Sequence, residues 1–422
     1  MTMFQPELET LDPQVLAGLQ LDRMRQTLTR VAGNAAWARR LGGARPEDVK
    51  RLEDWARLPF LTKNELRDAY PYALACGQAE GYRRVHMSSG TTGNPILNPY
   101  TAADVEQWGE VMARCYVAAG VTRDDVIQIT PSFGLFTGGF GFHYGAERLG
   151  AMIVPTGAGR TLLQLTLMRD LRVTVMPGIA TYPLRLIEVA RAEGFDLRSL
   201  SLRVAILGSE MWSDELRARI ERELSLRAFD IIGMTETGGP GLGIDCEARA
   251  GIHVWQDHYH VEIVDPVTGA ARPDGEEGEL VVSTLTRQGL PLVRYRTHDL
   301  TRIVSRARCA CGRTSLRLDR LRGRTDDMVI VKGVNFYPRQ IEMVLLRHPG
   351  VGHEYQIQID ADDRISVVVE TEPGGDPALA GRLRRELQDY LALGPEIRLC
   401  PVGTLERPAG KAVRVVDRRT HP

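Results

Sequence analysis

Residues 203–209, RVAILGS, run almost directly into residues 212–225, WSDELRARIERELS. The first stretch is a short apolar run closed by Gly-Ser and reads as a buried strand; the second has a helical pattern. The same succession recurs toward the N-terminus. DVIQIT (125–130), AMIVPT (151–156) and VTVMPG (173–178) read as strands, and AADVEQWGEVMARCYVAAG (102–120) and ATYPLRLIEVARAEG (180–194) as the helices between them. Alternation of this kind from Val85 to about Leu242 predicts an α/β domain with a largely parallel sheet. Ligands of such sheets gather at the carboxyl ends of the strands.

Farther out the texture changes. The first 80 residues read as helices: QVLAGLQLDRMRQTLTRVAGNAAWARRLG (14–42) carries apolar residues at helical spacing, and Thr62 with Glu65 forms a capping box in LTKNELRDAY. After Gly243, HVEIVDPVTGAARPDGEEGELVVSTL (260–285) is strand-like and punctuated by turn residues. A charged, glycine-bearing stretch, RLRGRTDDMVIVKGVNFYPRQIE (320–342), precedes a compact β-β-α-β unit. The expected boundary lies near Arg324 to Asp327, giving domains 1–325 and 326–422, without internal repeats.

The 53 basic and 54 acidic side chains leave a net charge of -1, which gives no support to nucleic-acid binding. No run of about 18 apolar residues occurs, and the acidic start lacks an apolar signal region, so a soluble, cytoplasmic protein without membrane contact is expected. Six cysteines are too sparse for a disulfide scaffold. Cys76, Cys115 and Cys400 sit alone, whereas Cys309 and Cys311 form C-x-C and Cys246 precedes His253 in DCEARAGIH. Three thiols and an imidazole suit a tetrahedral zinc; buried free thiols are the alternative, and His258 and His260 are further candidates for the nitrogen.

SSGTTGNP, residues 88–95, packs hydroxyls and glycines into a few positions. It reads either as a surface turn or as a phosphate cradle, in which glycines let backbone N–H groups approach an anion. It is followed in order by GLFTGGFGFHYGAERLGA (134–151), LGSE (207–210), GMTETGGPG (233–241), YRTHDL (295–300), GRTDDMVIVKGVNFYP (323–338) and ERPAGKAVRV (406–415). Together these closely resemble the adenylate-forming superfamily, and within it the phenylacetate-CoA ligase family, over nearly the whole chain.

The resemblance implies a large N-terminal α/β adenylation domain, with parallel-rich sheets and a strand-rich, zinc-bearing subdomain over about 244–320, and a small mobile α+β C-terminal domain. It implies an ATP-dependent aryl acid:CoA ligase that forms an acyl-adenylate and then the thioester, releasing AMP and pyrophosphate. Phenylacetate or a substituted benzoate or anthranilate is the implied acid. Loading of a carrier protein or amide formation is the alternative acceptor chemistry, and a nucleotide sensor without turnover is a third reading. A cytoplasmic homodimer is implied.

Carried onto this sequence, Ser88, Ser89, Gly90, Thr91, Thr92 and Gly93 embrace the β- and γ-phosphates of ATP, with Asn94 where the family usually has lysine. Thr235 bonds a phosphate oxygen and Glu236 holds Mg²⁺, a hard cation that prefers carboxylate oxygen. Asp230, Ile231, Ile232, Gly233 and Met234 border the adenine, Ile232 lacking an aromatic face; Gly208, Ser209 and Glu210 line the adenine and acyl pockets. Asp299 grips the ribose hydroxyls and Arg324 lies near ribose or phosphate. Phe136, Gly139, Gly208 and Pro240 face the aromatic ring, while at least two phenylalanines among Phe133, Phe136, Phe140 and Phe142 belong to the core. Lys411 contacts the α-phosphate and carboxylate in the adenylation transition state. Rotation about Asp326 then brings Lys332, Gly333 and Val334 to the thiol tunnel. Cys246, His253, Cys309 and Cys311 hold a structural Zn²⁺.

Overall fold

A computed structural model describes residues 2–88, 94–325, 329–331, 334–372, 376, 378–391, 394–406 and 414–419. Its largest sheet has nine strands. Met152–Val154, Val126–Gln128, Val175–Ile179, Val204–Gly208 and Arg227–Met234 lie side by side in parallel, as the strand–helix alternation predicts. The sheet then reverses: Gly239–Asp245, Ile252–Val254, Arg317–Leu318 and Ile303–Ser305 continue it antiparallel. The reversal follows from the connection between Met234 and Gly239, which is far too short for the crossover of a dozen or more residues that a parallel neighbour needs. Gly238, Gly239 and Gly241 make it possible with φ of 106°, 96° and 108°. The expected strand-rich stretch over about 244–320 is thus divided, only its strands Ile252–Val254, Ile303–Ser305 and Arg317–Leu318 continuing this sheet. A separate antiparallel sheet holds Tyr259–Val264, Gly278–Thr284, Tyr295–Thr301 and Gly323–Arg324.

The glycine- and phenylalanine-rich stretch folds as a helix, Gly138–Leu149, which packs on the helix Ala102–Ala118. Glycine costs helical stability, and the packing explains its use. A Cβ at Gly145 would stand 2.5 Å from Met112 Cβ, and one at Gly141 would stand 2.7 Å from both Trp108 and Pro240. The N-terminal stretch with helical spacing forms two helices, Pro13–Ala32 and Ala35–Arg40. Asn34 causes the break: its Oδ1 accepts the Ala36 and Trp37 N–H groups while its Nδ2 donates to the Ala73 and Ala75 carbonyls. The capping box of Thr62 and Glu65 forms as read.

Beyond Arg324 the chain builds a smaller layer: the helix Pro338–Leu345, strands Val351–Ile359, Ile365–Thr371, Glu396–Pro401 and Val415–Asp417 in one sheet, and the helix Leu379–Leu391. That helix buries Leu379, Leu383, Leu387 and Leu391 on one face. This layer has its own core with Ile357, Ile359, Val367 and Val369. Among the described residues no helix is long and apolar enough to cross a membrane.

The helix contact yields a contrast. Gly145→Ala is expected to destabilise the protein by about 1–3 kcal/mol through overpacking. Gly18→Ala, in the helix Pro13–Ala32 with nothing within 4 Å of the added Cβ, is expected to stabilise it by about 0.5–1 kcal/mol. Urea unfolding of both variants checks the pair; equal shifts would contradict the packing account.

Candidate active site and metal cluster

Three groups of predicted residues meet at the carboxyl ends of the central parallel strands. Gly208 ends the strand Val204–Gly208, and a Cβ there would lie 2.4 Å from the Ile231 carbonyl oxygen. Ser209 follows with φ of 68°, a left-handed conformation that a non-glycine residue adopts at a cost of about 1–2 kcal/mol. Such local strain clusters at functional sites. Glu210 accepts the Thr181 hydroxyl at 2.8 Å.

The glycine-rich loop leaves from an antiparallel pair, Arg84–Met87 with Leu97–Tyr100. At its neck the Ser88 N–H donates to the Ile96 carbonyl and the Ser88 hydroxyl accepts the Ile96 N–H, both at 3.0 Å. The Ser88 oxygen therefore closes the loop's base. Ser89, Gly90, Thr91, Thr92 and Gly93 lie outside the described residues. Just past the loop, buried Asn98 donates through Nδ2 to the Thr235 carbonyl at 2.5 Å and the Glu236 carbonyl at 3.2 Å. Its Oδ1 accepts from Arg287 at 2.8 Å. The Glu236 carboxylate accepts the Tyr295 hydroxyl at 3.3 Å. Burial, then the nearby Glu236 carboxylate, push the Tyr295 pKa well above the ordinary phenol value, so it stays a neutral donor. Tyr295 opens the strand that carries Asp299, whose carboxylate accepts from Arg324 at 2.8 Å across the sheet register. One chain of contacts thus links the loop's neck, Thr235, Glu236, Asp299 and Arg324.

Other predicted residues have packing roles. The Asp230 carboxylate is taken up by Trp212 Nε1 at 2.9 Å and Arg320 Nε at 2.7 Å, leaving the residue buried. Ile231 and Ile232 are buried in the main core, so Ile232 offers little surface to a base. Gly233 is required by the adjacent strand, since a Cβ would meet the Gly239 carbonyl oxygen at 2.4 Å, and Met234 packs against the N-terminal core. Gly139 faces the Pro131–Ser132 backbone, with Ser132 O at 2.6 Å from a built Cβ. The Pro240 carbonyl accepts from Trp108 Nε1 at 3.0 Å. Phe142 is buried, Phe133 and Phe140 stand edge to face and partly buried against the core, and Phe136 is exposed. Lys411, Asp326, Lys332 and Gly333 lie outside the described residues.

Sequence reading missed Asn98 and Tyr295. Asn98 left a signal, a polar side chain inside the apolar run ILNPY directly after the loop. Arg84 was missed too; its guanidinium lies 4.6 Å from the Phe140 ring and 4.7 Å from that of Tyr144. A cavity of about 370 Å³ lined by Arg30, Asn34, Cys76, Thr101 and Gln288 contains none of the predicted site residues.

Cys246, His253, Cys309 and Cys311 are buried, and their ligand atoms all lie within 4.8 Å of one another. Cys246 Sγ is 3.9 Å from Cys309 Sγ, and Cys311 Sγ is 3.4 Å from His253 Nε2. These separations rule out disulfides and match the roughly 3.6–3.8 Å between ligand atoms around a tetrahedral zinc. His253 Nδ1 meets the Ser315 hydroxyl at 3.0 Å, which turns Nε2 toward the thiols. Cys246 and His253 come together because their strands pair antiparallel, and the strand Arg317–Leu318, after the C-x-C loop, pairs with His253. His258 is occupied elsewhere, with Nδ1 on the Thr286 hydroxyl and Nε2 3.2 Å from Asp257.

The AMP-binding enzyme family model matches residues 68–286, and the AMP-binding enzyme C-terminal domain model matches residues 333–419. A phenylacetate-coenzyme A ligase of Pseudomonas putida is 39% identical over 98% of this chain and 96% of its own length. Another, of Thermus thermophilus, is 39% identical over 99% of this chain and 100% of its own. Among solved structures, 2-hydroxyisobutyryl-CoA ligase in the postadenylation state superposes with a TM-score of 0.91 at 27% identity, covering 98% of this chain and 92% of that one. The same ligase in the thioesterification state, at 28% identity and the same coverage, gives 0.73. The chain belongs to the phenylacetate-CoA ligase family of AMP-binding, adenylate-forming enzymes, the AMP-forming acid–thiol ligases.

Proposed function

We propose that this protein is an ATP-dependent aryl acid:CoA ligase. The observation that carries the proposal is the buried contact chain from the loop's neck through Asn98, Glu236 and Tyr295 to Asp299, set at the carboxyl ends of the parallel strands in a chain alike over its whole length to phenylacetate-CoA ligases. In the first half-reaction a carboxylate oxygen of the acid attacks the α-phosphorus of ATP and pyrophosphate departs. This chain's task there is to hold phosphate charge and align the attack. Residues 89–93, on the neck that Ser88 closes, and Thr235 hold the phosphates, Asp299, itself held by Arg324, holds the ribose, and Lys411 supplies positive charge where negative charge builds. Bound Mg²⁺ supplies charge neutralisation between phosphates. The Glu236 carboxylate, fixed by Tyr295, is the hard oxygen ligand that such an ion takes. In the second half-reaction the thiol sulfur of CoA attacks the acyl carbonyl, AMP departs and the thiol proton goes to solvent.

The cysteine–histidine cluster fits a structural zinc: it has four buried donors, so all tetrahedral positions come from the protein and none is open for chemistry. It fastens the loop 306–316 to the end of the nine-stranded sheet. The homodimer, which rests on the resemblance, and the cytoplasmic location, which rests on the apolar pattern of the sequence, are parts of this proposal.

The deciding experiment measures pyrophosphate release with ATP and Mg²⁺ across phenylacetate, substituted benzoates and anthranilate, with and without CoA. Release with one acid and a thioester only with CoA is expected. Release without thioester would move the acceptor to a carrier protein or an amine, and no release with any acid would overturn the ligase. Lys411→Ala is expected to cut acid-dependent release by about 100-fold or more with an unchanged unfolding midpoint. For the metal, atomic emission on the purified protein is expected to find about one zinc per chain; Cys309→Ser with Cys311→Ser is expected to lose it and to lower the unfolding midpoint. A metal-free wild type of equal stability would refute the structural zinc.

A further inference from the structure

Arg339 stands in the first turn of the helix Pro338–Leu345, where the helix dipole opposes a positive charge. The neighbouring Arg320 guanidinium adds repulsion, and burial followed by that repulsion lowers its pKa. The carboxylates of Asp230, Glu342 and Asp214 offset this only in part. Its contacts lie across the domain boundary: one guanidinium nitrogen donates to the Trp212 carbonyl at 3.0 Å, another donates to the Leu321 carbonyl, and Nε is sealed from solvent. Trp212 is a fixed platform. Its buried indole donates to Asp230, and the guanidinium groups of Arg320 and Arg217 lie 4.6 and 5.1 Å from the ring. It also lies three residues after the strained Ser209 and two after Glu210.

Among the described residues the other polar contacts between the two layers are one further single bond of this kind, from the Arg219 guanidinium to the Val351 carbonyl at 3.2 Å, and ion pairs. Arg347–Glu215 at 3.3 Å and Arg191–Glu372 at 3.0 Å are largely exposed ion pairs and hold little. Apolar contact comes from Leu346, packed on the buried cluster that includes Trp212, Leu216 and Ile220, and from Tyr337 against Gly323. Two directional bonds from one planar guanidinium fix an angle as well as a distance. They therefore favour one orientation of the small domain over any other and shift the balance by that difference.

Building on the ligase reading, we propose that Arg339 is a positioning residue for adenylation. By clamping the C-terminal domain to the Trp212 and Leu321 carbonyls, it holds the orientation this structure shares with the postadenylation-state ligase. The bonds must break before the thioester half-reaction. The contribution is selective for one half-reaction.

The test measures the half-reactions separately. Arg339→Ala is expected to slow acid-dependent ATP–pyrophosphate exchange by about 5- to 150-fold, the range of typical coupling between sites. Thioester formation from supplied acyl-adenylate and CoA is expected to stay equal or rise. Arg339→Lys, which keeps the charge without the planar fork, is expected to fall between, and Arg347→Ala to change exchange by less than about twofold. Equal loss in both half-reactions, no loss in either, or an Arg347→Ala effect as large as that of Arg339→Ala would overturn the proposal. Spin labels on the two domains give a readout free of turnover. Arg339→Ala is expected to shift the interdomain distances away from the wild-type distribution, and an unchanged distribution also overturns the clamp. If wild type shows no exchange with any acid, the ligase reading fails, while the distance measurement still decides the clamp.

Discussion

The site depends on the side chain of Asn98. Its amide nitrogen holds the Thr235 and Glu236 carbonyls, and its oxygen takes a bond from Arg287, whose guanidinium lies 4.1 Å from the Tyr100 ring and 3.8 Å from Asp104. All of these side chains are buried. Removing the amide would leave two carbonyls and a charged donor without that partner in a low-dielectric interior, at about 1–3 kcal/mol for each unsatisfied group. More important is what the amide connects. The glycine-rich loop emerges from one sheet and Glu236 from the turn of another, and Asn98 is the rivet between them.

Around that rivet, short connections dictate geometry. The chain passes from the strand Arg227–Met234 to Gly239–Asp245 in too few residues for a crossover, so the sheet reverses there, and Thr235 and Glu236 are presented in the turn. The same reversal starts the antiparallel half that gathers Cys246 and His253. Close helix packing through Gly141 and Gly145 sets Trp108 against Pro240 and bounds the other side of the site. Glycines that look like binding-loop residues in the sequence are spacers between backbones.

The order of the motifs was readable because each is a contiguous run with its own local chemistry: turn residues before a strand, a capping box, helical spacing of leucines. The parallel strands, the separate core of the C-terminal layer, and the Cys246, His253, Cys309 and Cys311 set were all legible in that way. The break at Asn34 was less so. Its cap depends on carbonyls some 40 residues away, at Ala73 and Ala75.

The sequence by itself determined the alternation of strand and helix, the family, and which residue types could carry adenylation, since periodicity and motif spacing are properties of the chain alone. Only the tertiary structure decided which of those residues have groups to offer. Asp230 has spent its carboxylate on Trp212 and Arg320, Gly139 and Gly208 are consumed by backbone contacts, and Ser88 closes the loop's neck. It alone brings Asn98 to Thr235 and Glu236, Tyr295 to Glu236, and Arg339 to Trp212. A hydrogen bond between groups far apart in the chain, 59 residues for Tyr295 and Glu236 and 137 for Asn98 and Thr235, leaves its partner unnamed in the sequence, because its energy depends on a distance that only the folded chain sets.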